Sequence, residues 1–589
     1  MVPILINHIG YDSADTKTAV YRRIADETPV SFRVICDKTG TAVYEGTLTA
    51  YGEVDNWKTG YYYAMRFDEV AEKGTYYIEV TDDTGKTSRS YPFKIAENLL
   101  ETSTLSAVGY YFKAQRATGE YEAADKALPF QYGKREGTVD AHGGWYDACG
   151  DFGTHLSHLS YSTYFNPQQA NFSAYAFFKL NDLLEESDYP YYTMLKRRLI
   201  EEGMYGADWL MRMRAPSGGF FISKNRSMDA FGPVGEMRVL SPMLQDMKDG
   251  NEFGGIADTE KVRPCDYEAS FRSGSGYAIA ALAYAARTTY PSDYTKAEYL
   301  KAAIDSYNYL FKNNELYTND GKWNLVDEYC ALDALIEIYK TTREIDYLRR
   351  ARAMAKRMAD RYVAVSETMG YLSVNGTDRP FFHATEAGMP IVNLLNYCAI
   401  EKDAAIKAET LALCEKLMRF ELDVTNRVAN PFGLARQFIQ HIDGTKEDLF
   451  FYPHDVETAP WWHGENSRLA SLAAAARALI PFVTDTEFKD ALRKYADDQI
   501  NWILGLNPFD SCMLEGEGRN RIDYIFEHRC DFIQCPGGIA NGVTAALDDP
   551  HGIAYYTEIC DEVSDNWRWG EQWIPHASWY MYALCLKKI

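Results

Sequence analysis

The hydrophobic pattern of this chain changes its period near residue 97, and this change constrains the fold more than any other feature. Before it, short runs rich in Val, Ile, Tyr and Thr alternate with turn sequences such as Asp37-Lys-Thr-Gly40. Seven short strands with regular turns predict a β-sandwich of the immunoglobulin type, although no Cys–Trp–Cys signature is present. The predicted strands span 4–8, 17–21, 30–36, 42–48, 61–67, 74–80 and 89–95.

After residue 97 the apolar residues recur about every 3.6 positions, which predicts helices. Two Ala-rich stretches, 277–286 and 469–476, lack a strongly polar face and therefore predict inner helices. The short break at 341–344 predicts an antiparallel helical hairpin. Twelve helices in six hairpins would suit an (α/α)6 toroid, and an α-solenoid would give a similar pattern. The predicted helices span 101–116, 168–187, 190–214, 269–288, 294–313, 327–342, 345–362, 385–398, 403–421, 465–481, 486–504 and 572–586.

The sequence thus predicts a mainly α chain with two domains: an immunoglobulin-like β-sandwich over 1–97 and a helical domain over 98–589, either an (α/α)6 toroid or an α-solenoid. A length of 589 residues also exceeds what one ordinary core supports. Four long loops interrupt the predicted helices, and long loops inside a compact domain are usually functional. We therefore expect the chemistry at one mouth of the toroid, where four long loops gather: 117–165, 215–268, 422–464 and 505–570.

Charge and cysteine usage exclude several classes of function. A formal net charge of -23 argues against binding to nucleic acid or to an anionic membrane surface. The 11 cysteines are scattered without a Cys-x-x-Cys pair, which argues against a zinc cluster or a disulfide framework. No apolar run approaches the roughly 20 residues that span a bilayer, and the start lacks a basic, cleavable leader pattern. These features predict a cytoplasmic protein, and a trimmed chain would look the same.

Two carboxylates, Asp147 and Asp151, lie four positions apart in His142-Gly-Gly-Trp-Tyr-Asp-Ala-Cys-Gly-Asp-Phe-Gly153. A Gly-rich turn can direct both side chains to one spot, where they could hold and deprotonate a water molecule. The neighbouring Trp145 and Tyr146 favour a sugar-cleaving site, because aromatic rings stack on pyranose faces. A solvated loop or a calcium turn would show the same pair of aspartates.

A second carboxylate motif lies near the C-terminus, in Asp565-Asn-Trp-Arg-Trp-Gly-Glu-Gln-Trp-Ile-Pro-His576. Pro575 suits the first turn of a helix, so Glu571 should precede that helix, between two tryptophans. Apolar surroundings raise the pKa of a carboxyl group and keep it able to donate a proton. The alternative interpretation is a Glu that is favoured at a helix N-terminus by the helix dipole.

Two further segments supply candidate side chains for the mouth of the toroid. Trp461-Trp-His-Gly-Glu-Asn466 precedes an Ala-rich helix, and we expect sugar contacts from Trp462, His463 and Glu465. A capping role for Glu465 is the alternative. His383 and Glu386 begin a predicted helix, where they either line the cleft or cap the helix.

Together these motifs resemble glycoside hydrolase family 9. The segment 144–151 resembles the family's Trp-Tyr-Asp-Ala-Gly-Asp motif, and 502–508 resembles the segment that enters its last active-site loops. Glu571 matches the Glu of the family's C-terminal Asn-Glu motif, with Gly570 in place of the Asn. The resemblance runs from the N-terminal immunoglobulin-like module through the whole helical domain, and it implies that 98–589 form an (α/α)6 toroid as the catalytic domain.

The resemblance implies an inverting mechanism with three carboxylates. Asp151 would be the general base that activates water, Asp147 would help to hold that water, and Glu571 would be the general acid. Inversion needs room for the water, so the base and the acid should lie roughly 6.5–9.5 Å apart. His528 and Arg529 loosely resemble the family's His-Arg loop and are candidate sugar contacts. Relatives sometimes carry structural calcium or zinc, but this sequence assigns no metal ligand and no cofactor.

One departure from the family pattern points to a particular branch. Cys149 is an extra residue between the two aspartates, and 156–169 resembles exo-acting β-glucosidases and exo-β-D-glucosaminidases. In that branch the first aspartate is thought to contact the non-reducing sugar, which makes Asp147 a candidate for glucosamine recognition. We therefore expect an exo-acting enzyme whose substrate is an oligosaccharide. An endo-β-1,4-glucanase and a non-catalytic carbohydrate-binding protein are the alternatives, and the oligomeric state is not predicted.

Overall fold

The computed structural model describes residues 3–23, 28–150, 152–157, 164–185, 190–226, 238–242, 260, 262–456, 462–525, 534–558 and 565–587. Within these residues, ten strands form two sheets before residue 97, and twelve helices of at least ten residues follow. This architecture confirms the predicted fold class, a mainly α toroid with an immunoglobulin-like sandwich at its N-terminal side.

The sandwich consists of two sheets, in the strand orders β1-β3-β7-β6 and β2-β10-β8-β4-β5, with β9 also paired to β8. Alternate residues of β8 are buried, including Tyr76, Ile78 and Val80, as expected for a strand with one face on a core. The strands are β1 Ile4–Leu5, β2 Gly10–Asp12, β3 Thr18–Arg23, β4 Pro29–Cys36, β5 Ala42–Gly46, β6 Thr49–Glu53, β7 Tyr61–Arg66, β8 Gly74–Asp82, β9 Thr87–Arg89 and β10 Phe93–Ala96.

Two details of the sandwich differ from the prediction. The predicted strand 89–95 is divided into β9 and β10, and Pro92, which has no amide hydrogen for a ladder, lies in the gap. The strands β2 and β6 were missed. The first has only three residues, and Gly52 interrupts the apolar pattern of the second at a register shift.

The helices form two concentric rings. The inner helices α2, α4, α6, α8, α10 and α12 contact one another in sequence, and α12 contacts α2, which closes the ring and excludes an open solenoid. Each inner helix also packs against at least one outer helix. The helices are α1 Leu99–Gln115, α2 Ala170–Glu185, α3 Pro190–Arg212, α4 Gly276–Ala285, α5 Lys296–Asn313, α6 Leu325–Thr342, α7 Ile345–Ala359, α8 Met389–Ile400, α9 Ala404–Asn426, α10 Asn466–Leu479, α11 Thr486–Ile503 and α12 Ile574–Leu586.

The burial of the helices separates the two rings. All ten residues of α4 are buried, and nearly all of α10, which confirms that both Ala-rich stretches are inner helices. The outer helix α7 buries a single stripe of small and apolar residues. The helix that was predicted from residue 269 begins at Gly276, because Ser273 and Gly274 interrupt the helical backbone and Gly274 has a φ of 120°.

The sandwich packs on the toroid beside α11. Trp57 lies among Phe432, Phe450 and Trp502, with ring centroids 4.8–6.3 Å apart. The main-chain N–H of His8 donates to the carbonyl of Leu504 at 2.9 Å, in the segment that resembles the family's entry to its last active-site loops. That segment therefore also joins the sandwich to the toroid. Among the described residues, no helix combines the length and the apolar character that a membrane span requires.

Candidate active site

The turn that contains Asp147 runs close over the outer helix α3. Gly143 and Gly144 have φ values of 94° and 76°, which favour glycine. A Cβ on Gly144 would lie 2.8 Å from Thr154 and 2.9 Å from Trp209, so the close approach also excludes a side chain there. The glycines of the motif thus allow the path of the turn.

Asp147 is 1% exposed, and its carboxylate contacts polar side chains. The Gln169 side-chain amide donates to Asp147 Oδ2 at 3.2 Å, and His155 Nε2 lies 3.7 Å from Oδ1. The main-chain N–H of Asp147 donates to the carbonyl of Gly153 at 3.1 Å and closes the turn. Asp147 is therefore a fixed carboxylate rather than a solvated one.

The turn pairs directly with the segment that carries Glu571. Ala148 and Trp573 form an antiparallel bridge, and the Cys149 main-chain N–H donates to the carbonyl of Gln572 at 2.9 Å. The N–H of Ile574 also donates to the carbonyl of Asp147 at 2.9 Å. Two motifs that lie more than four hundred positions apart in sequence are therefore neighbours in the fold.

Asp151 lies outside the described residues, and so do His528 and Arg529. Both chain neighbours of Asp151 are described, and Gly150 has a φ of 78°. The separation between the Asp151 and Glu571 carboxyl groups remains a prediction.

Glu571 is half-buried, and tryptophans surround its segment as predicted from the sequence. Trp569 and Trp573 are 1% and 5% exposed. The carbonyl of Glu571 accepts from the main-chain N–H of Asn541 at 2.8 Å. Burial raises the pKa of Tyr111 well above its usual value.

The expected sugar contact from Trp145 is wrong. Its side chain is fully buried, and its indole N–H donates to Glu202 at 3.2 Å. Its ring packs against Phe112 and Phe177 in the core. Tyr146 points elsewhere: it is half-buried beside Phe152, and burial raises its pKa to about 12. Of this aromatic pair, only Tyr146 remains a candidate for a sugar contact.

Trp462 and His463 lie near the Glu571 segment. The ring of Trp462 is stacked on His454 at 3.8 Å, and the Arg568 guanidinium lies 4.0 Å from its centroid. Since His454 and Arg568 lie against its ring, Trp462 is not an open stacking platform for a sugar, and the expected sugar contact from this residue stays a prediction. The buried His463 packs edge-on against Trp573 at 5.1 Å, and its Nδ1 lies 2.6 Å from the carbonyl of Gly464.

The expected sugar contact from Glu465 is also wrong, because protein groups occupy its carboxylate. Oε1 accepts from the main-chain N–H of Tyr452 at 2.5 Å, and Oε2 accepts from Gln437 at 3.2 Å and from Arg468. The side chain makes no capping bond to α10 either. Glu465 is 3% exposed, and burial raises its pKa. It holds the 437–452 region against α10.

Two buried histidines, His383 and His576, lie on either side of the His463 region, the first against Phe165 and the second against His463 itself. The Nδ1 of His576 accepts from the Ser467 main-chain N–H at 2.8 Å, and its Nε2 lies 2.8 Å from the Asn541 side-chain oxygen, to which it donates. Burial lowers the pKa of His576 well below its usual value. Burial also lowers the pKa of His383 to about 3, and its Nδ1 accepts from the main-chain N–H groups of Thr385 and Glu386. His383 therefore caps a turn ahead of α8.

A buried charge cluster that the sequence did not reveal supports the aspartate turn. Asp125 accepts from Lys224 at 2.6 Å and from Arg238 at 2.8 and 3.0 Å, and all three side chains are buried. Lys224 also donates to the carbonyl of Gly143 at 2.6 Å, and Arg238 donates to that of Phe152 at 2.5 Å. The two cations therefore hold both ends of the turn.

Glu386 predicts a measurable pH dependence of stability. Its two oxygens accept from the Tyr329 hydroxyl at 2.5 Å and from the Gln168 main-chain N–H at 3.0 Å. Burial raises its pKa to about 8, above that of an unfolded carboxyl group. Its contribution to stability is therefore present at low pH and is lost as the pH rises from about 4 through 8, by at most about 1.4 kcal/mol per pH unit.

The variant Glu386→Gln should remove this part of the slope, because an amide does not titrate. Urea unfolding at pH 5, 6, 7 and 8 measures it for both proteins. Parallel pH dependences in the two proteins would contradict the assignment.

Within the described part of the chain, no group of three or more His, Cys, Asp or Glu side chains could hold a metal ion. The cysteines that it contains are free thiols. The described side chains of this region include the carboxylates of Asp147 and Glu571, with the histidines His463 and His576 and the tryptophans Trp569 and Trp573 nearby.

Comparisons with known proteins agree on one family. The sequence profile described as "Glycosyl hydrolase family 9" matches residues 102–534, and the one described as "Cellulase N-terminal ig-like domain" matches residues 2–85. Endoglucanase D of Acetivibrio thermocellus is 26% identical over 371 residues, which are 59% of this chain and 52% of that protein. The chain thus spans about half the length of the curated relatives that it matches.

Solved structures show the same fold along the whole chain. The Bacteroides ovatus protein GH9 has a TM-score of 0.66 at 17% identity, with 100% of this chain and 99% of that chain covered. The family 9 endoglucanase J30 has a TM-score of 0.64 at 19% identity, with 98% and 99% covered. At these identities the similarity concerns the fold alone.

Proposed function

Because this chain belongs to glycosyl hydrolase family 9 and is thereby an O-glycosyl hydrolase, we propose that it hydrolyses β-1,4-linked gluco-configured oligosaccharides with inversion. The observation that carries the proposal is the backbone pairing of the aspartate turn with the Glu571 segment, at Ala148–Trp573 and Cys149–Gln572. A general acid and a general base must face one glycosidic bond from opposite sides, and these two segments can supply them.

In this proposal Glu571 gives its proton to the glycosidic oxygen while the bond to the anomeric carbon breaks. Asp151 takes a proton from a water molecule, which attacks the same carbon from the opposite face. Asp147 either holds that water or faces the substituent at the 2-position of the sugar. Its burial and its bond from Gln169 fix the carboxylate for either role.

We further propose exo action from the non-reducing end, on glucosaminides or glucosides. The extra Cys149 between the aspartates supports this choice, because it lengthens the turn relative to the family pattern. The names of relatives such as endoglucanase D favour the second candidate, an endo-β-1,4-glucanase with an open cleft. A cytoplasmic location also remains a proposal.

Product analysis tests the choice. The purified protein is given cellotetraose and the glucosamine tetramer of chitosan, and early products are separated by chromatography. Exo action predicts monosaccharide from the first turnover, whereas mixed oligomers would defeat it.

If Asp147 recognises an ammonium group, Asp147→Asn should lower kcat/KM for the chitosan tetramer more than for cellotetraose. Equal losses on both substrates would assign Asp147 to the water instead.

A further inference from the structure

Cys149 makes two contacts with the residue that follows the proposed acid. Its main-chain N–H donates to the carbonyl of Gln572 at 2.9 Å, and its Sγ lies 3.1 Å from the Gln572 main-chain nitrogen, from which it accepts a hydrogen bond. Cys149 is 2% exposed and Gln572 is fully buried. A residue that is extra relative to the family motif is thus bonded to both main-chain polar groups of Gln572.

Gln572 also binds a third segment of the mouth. Its side-chain oxygen accepts from the Cys535 main-chain N–H at 2.9 Å, and its side-chain nitrogen donates to the carbonyl of Cys535 at 3.0 Å. With main chain and side chain both satisfied, Gln572 has little freedom to shift. If the Cys149 contact changed and Gln572 shifted, Glu571 would shift with it, because Glu571 directly precedes Gln572 in the chain.

The thiol of Cys149 makes its contact without adding charge. Burial raises its pKa well above the usual value, and the charge of the nearby Glu571 raises it further. A protonated sulfur accepts the Gln572 hydrogen bond while it leaves the carboxyl group of Glu571 beside a neutral neighbour. Alanine at this position would leave the buried Gln572 N–H without that acceptor.

We propose that Cys149 is a positioning residue that locks the Glu571 segment to the aspartate turn and so sets the placement of the general acid. The inference rests on the proposed function. It concerns geometry, since Cys149 itself would touch neither the glycosidic oxygen nor the attacking water. A displacement of about 1 Å in a catalytic group can cost about 10²-fold in rate, so a single lost contact has a measurable effect.

Leaving-group dependence separates a misplaced acid from general damage. An oligosaccharide leaves as an alcohol that needs a proton, whereas a 2,4-dinitrophenyl glycoside releases a phenolate that needs none. Cys149→Ala should lower kcat by about 10–100-fold on the better tetramer substrate, with KM unchanged and a far smaller loss on the dinitrophenyl glycoside of the same sugar. Cys149→Ser should restore part of the loss, because its hydroxyl can also accept from Gln572.

The matched control is Cys414→Ala, the same truncation at a buried cysteine in the outer helix α9. Its kcat on both substrates should equal that of the wild type. Wild-type kcat in Cys149→Ala, or equal losses on both substrates, would overturn the inference while the proposed function stands. If Cys149→Ala does not fold, Cys149→Ser alone decides. Its loss of kcat on the tetramer is then compared with its loss on the dinitrophenyl glycoside. A wild-type protein that hydrolyses neither substrate would defeat the proposed function, and this inference with it.

Discussion

Replacing Glu571 with Gln should lower kcat for oligosaccharide hydrolysis by about 10²–10⁴-fold, the usual contribution of a general acid. Glutamine keeps the size and the hydrogen-bonding shape of the side chain, but it has no proton to give to the leaving oxygen. Sugar binding should persist, because the variant changes neither the buried Trp569 and Trp573 on either side of Glu571 nor the pairing of Gln572 with Cys149. Steady-state kinetics and calorimetric titration with the same tetramer measure the two effects separately.

Glu409→Gln is the control. Glu409 is exposed on the outer helix α9, so this variant makes the same chemical change away from the site. Its kcat should equal that of the wild type. Turnover by Glu571→Gln at the wild-type rate would remove Glu571 from the mechanism. Loss of both turnover and binding would show that the segment supports the site rather than donating the proton.

Replacing Asp125 with Ala should lower the free energy of unfolding by about 3–5 kcal/mol. The variant leaves Lys224 and Arg238 buried without their shared carboxylate, and an uncompensated buried charge is costly. Burial already lowers the pKa of Lys224 to about 8, against the effect of Asp125. Because the same cations bind the carbonyls of Gly143 and Phe152, activity should fall together with stability.

Urea unfolding at pH 7 measures the difference in free energy of unfolding between the variant and the wild type. Their kcat values are compared at a urea concentration below the unfolding transition. The control is Asp360→Ala, which breaks the ion pair with Lys356, in which the Lys356 and Asp360 side chains are 73% and 61% exposed. Exposed pairs contribute about 0–1 kcal/mol, so this variant should unfold near the wild-type midpoint. Equal effects of the two variants would show that the Asp125 cluster carries no special share of the stability.

The sequence predicted the elements of this fold because its hydrophobic periods were strong. The Ala-rich stretches had no polar face, and both became inner helices. Closure of the ring was not readable, since it depends on α12 meeting α2 across most of the chain. The late start of α4 was not predicted, because the helical pattern continues through Gly274, whose φ of 120° breaks the helix and whose missing side chain leaves room for Leu156.

The site was only partly readable. Local motifs found Asp147 and Glu571, but a motif cannot tell which side of a turn faces the core, so Trp145 was assigned to the sugar and lies inside. The spacing of Glu465 and Arg468, three residues apart at a helix start, was a signal for their ion pair that went unused. The Asp125 cluster gave no local signal, because Lys224 and Arg238 lie 99 and 113 positions from Asp125 in the sequence.

The stereochemistry of the first product tests most directly whether an acid and a base act on opposite faces of the sugar. Proton NMR during the first minutes of hydrolysis of a β-linked tetramer resolves the anomeric signals before mutarotation mixes them. Inversion predicts the α-anomer at the newly formed reducing end. Initial release of the β-anomer would contradict it, because retention requires a closer carboxylate pair and a covalent intermediate.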